Sequence, residues 1–114
     1  MSYFESYQQT VFFAPPALTE PGVTTTYDVY ATNYLSTRNY TLVATVSNID
    51  TNVVVRLEGS TDGTNFGAMI SNSIKANGTY TYNVSGFPVK QIRANFFLET
   101  GGTNAVVIFT MAAN

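Results

Sequence analysis

Residues 52–66, Asn-Val-Val-Val-Arg-Leu-Glu-Gly-Ser-Thr-Asp-Gly-Thr-Asn-Phe, leave this chain few folds to choose from. Val53, Val55 and Leu57 alternate with Arg56 and Glu58, and a period of two residues puts the apolar set on one face of an extended strand. Asp62-Gly63 then marks a hairpin turn, because Gly accepts the positive φ that tight turns need and Asp tolerates it. Phe66 is placed to return an aromatic ring to the core. The stretch reads as the centre of a β-sheet.

The same period recurs on both sides of it. Thr10 to Phe13 reads as a short strand ended by Pro15-Pro16, which remove backbone donors. Val23 to Ala31 alternates as one strand, with Val23, Thr25, Tyr27, Val29 and Ala31 sharing a face. Tyr40, Leu42, Ala44 and Val46 share a face of the strand ending at Ser47, and the short turn at residues 48–52 predicts that this strand pairs with the central one. Phe66 to Ile70 reads as a weak strand and Ser71 to Ala76 as irregular. After Asn77-Gly78, Tyr80, Tyr82 and Val84 share a face. Between Val89 and Leu98, Ile92, Ala94, Phe96 and Leu98 are expected inward and Arg93, Asn95 and Phe97 outward. The last strand, Asn104 to Met111, is apolar on both faces, so it lies deep or shows one face to a partner. Eight or so short strands with turns between them and no helical period predict an all-β fold. It is a single antiparallel β-sandwich, jelly-roll or immunoglobulin-like, with an N-terminal arm. Residues 1–22 are read as arm and first strand, and residues 23–114 as the sandwich.

Composition narrows the function. The 114 residues suffice for one domain. Only 11% are charged, against a usual share of about 25%, so solubility rests on 17 Thr and 11 Asn. The net charge of -2 and five scattered cations argue against a nucleic-acid surface or a basic membrane patch. No apolar run is long enough for a transmembrane helix. The absence of Cys excludes a disulfide framework, and the absence of His removes the commonest general base and metal ligand. Met-Ser-Tyr-Phe-Glu has no signal-peptide character, so synthesis in the cytoplasm without general export is expected.

No catalytic signature stands out, and no enzyme activity and no cofactor are expected. The seven carboxylates sit mostly at turns or on solvent faces. Glu58, Asp62 and Asn65 surround one hairpin and offer oxygen ligands of the kind Ca²⁺ takes, but their spacing is not that of an EF-hand loop. A turn explains Asp-Gly as well, so no metal is expected. Asn-x-Ser/Thr occurs at Asn39, Asn77 and Asn83, as a chain this rich in Asn and Thr produces by chance. Tyr27, Tyr30, Tyr34 and Tyr40, with Asn and Gln nearby, are the raw material of a glycan-binding surface, though the usual Trp platform is missing. Aromatic residues and Met with few charges also describe the centre of a protein interface, and this reading covers more of the chain. The residues expected at contacts are Tyr3, Phe4 and Tyr7 in the arm, then Phe97, Phe109 and Met111 on the second faces of late strands.

Arg56-Leu57-Glu58-Gly59-Ser60-Thr61-Asp62-Gly63-Thr64-Asn65-Phe66, followed by Gly86-Phe87-Pro88-Val89-Lys90-Gln91-Ile92-Arg93-Ala94-Asn95, resembles a β-sandwich domain common among tailed-bacteriophage virion proteins. There a Leu-Glu-Gly-Ser-x-Asp-Gly-x-x-aromatic hairpin precedes a Pro-Val-x-x-Ile-Arg strand and a Gly-rich turn, here Gly101-Gly102. The resemblance spans about residues 40–112; the hairpin aromatic, often Trp, is Phe66 here, and the first forty residues have no counterpart. It implies a virion structural protein, assembled in the host cytoplasm. The form expected is a head-decoration or cement protein that contacts the major capsid protein or another virion protein as a homo-oligomer, with a trimer favoured. The rival reading is a tail or fibre module that binds host glycans.

Overall fold

Alternation decides which side chains turn inward. Tyr40, Leu42, Ala44 and Val46 on one strand, and Val53, Val55 and Leu57 on the next, are all buried, and they face each other across a single core. The computed structural model describes residues 10–29 and 39–114. These form nine strands: β1 (Val11–Phe13), β2 (Gly22–Val23), β3 (Tyr27–Asp28), β4 (Asn39–Ser47), β5 (Asn52–Ser60), β6 (Gly67–Ile74), β7 (Gly78–Ser85), β8 (Gln91–Thr100) and β9 (Val106–Ala113). The first sheet has the order β1-β9-β4-β7; the second has the order β2-β8-β5-β6, with β3 also on β8. Every pairing is antiparallel. The fold is an all-β sandwich. With β2 and β3 taken as halves of one interrupted strand, its eight strands follow the double Greek-key order of a jelly roll, which decides between the two sandwich types expected.

β5 lies between β8 and β6, at the centre of a sheet as its sequence predicts. Its expected partner does not pair with it. β4 hydrogen-bonds β7 and β9, and the chain crosses from one sheet to the other between Ser47 and Asn52. Four extended residues reach about 13 Å, enough for the roughly 10 Å between packed sheets. Asn48 takes a left-handed φ of 58° at the corner, and Ile49 N–H donates to Asn77 Oδ1 at 2.9 Å. Gly101, at φ 90°, lets the β8–β9 turn lie against Thr51 of this corner, where a Cβ would collide with the Thr51 hydroxyl. Residues 10–22 are built into the sandwich: β1 pairs with β9, and Leu18 bridges Val107.

Three other expectations change, each through a register shift or a longer pairing. The strand expected over Val23 to Ala31 is interrupted between Val23 and Tyr27, and its last two residues lie outside the described residues. Val23 pairs with Asn95 but Tyr27 with Ile92, so the outer chain carries one extra residue and the buried face switches to Thr24 and then Val29. Thr24 covers the break: its N–H donates to Ala94 O at 2.9 Å and its hydroxyl accepts from Ala94 N–H at 3.0 Å. On β8, Val54 pairs with Leu98 and Val55 with Phe96, leaving Phe97 as an extra, bulged residue. Leu98, expected inward, therefore emerges beside Phe97 on the outer face. β6 runs on through Ser71 to a buried Ile74, because pairing with β5 supplies the order its sequence does not advertise.

Candidate functional site

None of the four strands of the first sheet contains an Asp, Glu, Lys or Arg. Their inward residues fill the core, and their outward residues form rows across the sheet. One row is Phe12, Ala112, Thr41 and Asn83; the next holds Thr110, Val43 and Thr81; a third holds Ile108, Thr45 and Thr79. Phe12 is 77% exposed and Ile108 45% exposed. Beside Phe12 runs an open groove of about 450 Å³ floored by Val43, Ala112 and Thr110 and walled by Ala14 and Thr41. Three of the hydroxyls on this face are engaged across strands. Thr41 Oγ1 donates to Asn83 Oδ1 at 2.9 Å, and the Thr45 and Thr79 hydroxyls share a hydrogen bond of 3.1 Å. A surface with no charge and with part of its hydroxyls already paired loses less on dehydration than a charged one.

The outer face of the second sheet has the opposite character. Arg93 Nε donates to Glu58 Oε1 at 2.7 Å, and Asn95 Nδ2 donates to Glu58 Oε2 at 2.8 Å. The Arg93 guanidinium also lies over the Phe66 ring, 4.2 Å from its centroid. Alternation marks Glu58 as outward, yet it is 5% exposed, because cross-strand pairing with Arg93 closes over it. Both carboxylate oxygens are occupied, so this is a clamp between strands, and the hairpin's Phe66 rests against the clamp without entering the core. One row further on, Arg56 sits 3.5 Å above the Phe97 ring and donates from Nε to Ser71 Oγ at 3.3 Å.

The expected contact residues separate. Phe97 is exposed on the second sheet's outer face, below Arg56. Phe109 and Met111 are buried at 0% and 2%, opposite Ala44 and Leu42, and are core residues with no surface to offer a partner. Both faces of β9 are apolar, and the side that turned inward is the one with the larger side chains; Ile108 is what the strand shows outside. Tyr3, Phe4 and Tyr7 lie outside the described residues. Phe12, which dominates the first sheet's outer face, was visible only as part of a short strand.

The hairpin oxygens are likewise spoken for. Asp62 Oδ1 accepts from Thr64 N–H, Asn65 N–H and the Ser60 hydroxyl, each at 2.8 Å, and Oδ2 accepts from Asn65 Nδ2 at 2.8 Å. These bonds, led by the Asn65 amide, hold the Asp62 carboxyl well below the usual carboxylate range. Gly63 follows at φ 82°, so the turn itself accounts for the Asp-Gly pair. Of the tyrosines considered for glycan stacking, Tyr40 is buried. Its hydroxyl donates to Phe87 O at 2.8 Å and accepts from Val89 N–H at 3.3 Å. Burial raises its pKa, opposed by the Val89 hydrogen bond. The Tyr27 ring stacks on Phe13, with centroids 4.4 Å apart; Tyr30 and Tyr34 lie outside the described residues.

No protein-family model matches the chain, and no curated protein matches it in sequence. Solved structures do match in fold. The SPBc2 prophage-derived protein YomS is similar with a TM-score of 0.61 at 11% identity, over 96% of each chain. A carbohydrate-binding module, CBM36, solved with calcium and xylotriose, is similar with a TM-score of 0.52 at 17% identity, over 93% of this chain and 88% of its own. A chain from the disulfide-linked pili of Bacillus endospore appendages gives 0.47 at 12% identity, over 95% and 89%. At these identities the likeness to the first two is one of fold.

Proposed function

We propose that this chain is a structural protein of a tailed-phage virion, and that it acts as a head-decoration protein by laying the outer face of its first sheet on neighbouring capsid subunits. The observation that carries the reading is that face itself: four strands without one charged residue, with Phe12 standing over an apolar groove. The centre of a protein interface has this composition, depleted in charge and anchored by aromatic residues. The hairpin and strand of residues 56–95 resemble virion β-sandwich domains, and a prophage-derived protein shares the fold. The action is mechanical. A standard interface buries about 800 Å² per partner, and apolar area contributes roughly 25 cal/mol per Å². Repetition over a symmetric shell then multiplies a modest contact into resistance to internal pressure.

The test is co-sedimentation of the purified chain with capsids assembled from the cognate major capsid protein. Saturable binding that is lost in Val43→Glu, with the circular dichroism of the chain unchanged, is the expected result. No binding to capsids, or binding indifferent to a charge at Val43, would overturn the reading. Saturable binding to a glycan array by a chain that ignores capsids would favour the tail-module alternative.

A further inference from the structure

Among the described residues, four strand edges of the sandwich end without a neighbour, and three are blunted. β1 is only three residues long. β2 and β3 are two-residue pieces separated by the kink at Thr24. β6 carries a bulge where Met69 has no opposite number, and Lys75 follows it. Short strands, bulges and lysines are the devices by which sheets avoid pairing with other chains. β7 has none of them. Its eight residues contain no proline and no charge, and it pairs with β4 in one unbroken register from Val46–Gly78 to Asn39–Ser85.

The ladder shows which backbone groups β7 leaves open. Asn39 and Asn114 exchange both N–H···O bonds, at 3.0 and 2.9 Å, so the Asn39 peptide groups point toward β9 and those of Tyr40 and every second residue point toward β7. Tyr80, Tyr82 and Val84 therefore bond to β4. Thr79, Thr81 and Asn83 present their N–H and C=O groups away from the sheet, and among the described residues no hydrogen bond satisfies them.

We propose that this edge is the site at which a second copy of the chain adds its own β7, antiparallel about a two-fold axis at Thr81. In that register Thr81 meets Thr81 of the second copy, Thr79 meets Asn83, and Asn83 meets Thr79. All three are hydrogen-bonded pairs, closing about six main-chain bonds. On the inner side Tyr80 meets Tyr82. Every pair is between uncharged side chains, so self-pairing brings no like charges together, and Thr–Thr and aromatic pairs are among the favourable cross-strand neighbours. The two first sheets become one sheet of eight strands, and their charge-free outer faces run on across the axis. The unit is two-fold, in place of the trimer expected from the resemblance. It does not depend on the virion reading: a dimer that ignores capsids would leave it standing.

The experiment is sedimentation equilibrium at ~100 μM, well above the Kd of a ~10 μM dimer, combined with residue-resolved amide hydrogen exchange. The wild-type chain is expected to sediment as a dimer in which the amides of Thr79, Thr81 and Asn83 are protected alongside those of Tyr80 and Tyr82. Thr81→Lys sets two like charges on the axis at a position where the monomer's side chain is exposed and fills no part of the core. It should sediment as a monomer in which the first three amides exchange roughly 5-fold faster, the limit set by the ~20% of wild-type chains that are free at this concentration, while Tyr80 and Tyr82 stay protected. A wild-type monomer at this concentration, a dimer whose Thr81 amide exchanges freely, or a dimer indifferent to Thr81→Lys would overturn the proposal. So would a monomer whose β7 edge becomes protected only on binding capsids, since the occupant would then be another chain.

Discussion

Phe109 and Phe97 lie on adjacent segments of the same late sequence, and truncating each to alanine separates core from surface. Phe109 is 0% exposed and packs from β9 across the core. A phenylalanine that surrenders about 200 Å² of contact at roughly 25 cal/mol per Å² forfeits up to about 5 kcal/mol. Retaining the alanine methyl and allowing partial collapse leaves a cost of ~3–5 kcal/mol. Phe97 is 45% exposed, so only about half of that area is at stake, together with its Arg56 contact, which at an exposed site contributes ~0.5–1 kcal/mol. Because a truncated surface side chain leaves no cavity, its total comes to ~1–2 kcal/mol. At roughly 4 °C per kcal/mol for a domain of this size, Phe109→Ala should lower Tm by ~12–20 °C and Phe97→Ala by ~4–8 °C. Urea titration of both variants, with m unchanged from wild type, checks that the difference is one of stability. If the two melt within ~3 °C of each other, or if Phe97→Ala is the worse, the assignment of β9's inner face is wrong.

The Asp62 turn should make stability depend on pH. Its carboxyl is held ionised in the folded chain well below the ordinary range, so its stabilisation is complete above the unfolded value of about 3.9 and is lost as pH falls from there toward the folded pKa. Asp62→Asn is therefore expected to melt lower than wild type at pH 7 and to approach it progressively below pH ~4; a gap that stays constant with pH would contradict this. Thr24→Val keeps the shape of a buried side chain but leaves the Ala94 N–H without its hydroxyl acceptor. Chemical denaturation should show a loss of ~1–3 kcal/mol, against less than ~0.5 kcal/mol for Thr25→Val on the exposed side of the same kink.

The candidate face was half legible. Strands at residues 39–47, 78–85 and 106–113 can be seen to lack charge without any coordinates, and so can residues 11–13. That these four lie side by side, while Arg56, Glu58, Arg93 and Glu99 collect in the opposite sheet, is a matter of which strands pair. The β4–β5 connection shows the difficulty. A short polar turn between two alternating strands is what a hairpin needs, but it is also long enough to cross between sheets, and only the wish of both strands to bury their apolar faces against each other separates the two.

Local chemistry determined what the chain repeats. The period of two, the turn at Asp62-Gly63 and the inward set Tyr40, Leu42, Ala44 and Val46 each depend on a few neighbouring residues, so the all-β sandwich follows from the sequence alone. Tertiary structure decided what lies at positions where one residue more or less sits opposite the partner strand. The extra residue before Tyr27, the bulged Phe97 and the unmatched Met69 each reverse or interrupt the alternation beyond them. The same pairing chose which apolar face of β9 became core, placing Phe109 and Met111 inside and leaving Ile108 outside. A side chain's face is set by counting along one strand, but the count restarts wherever two strands, distant in sequence, fail to match residue for residue.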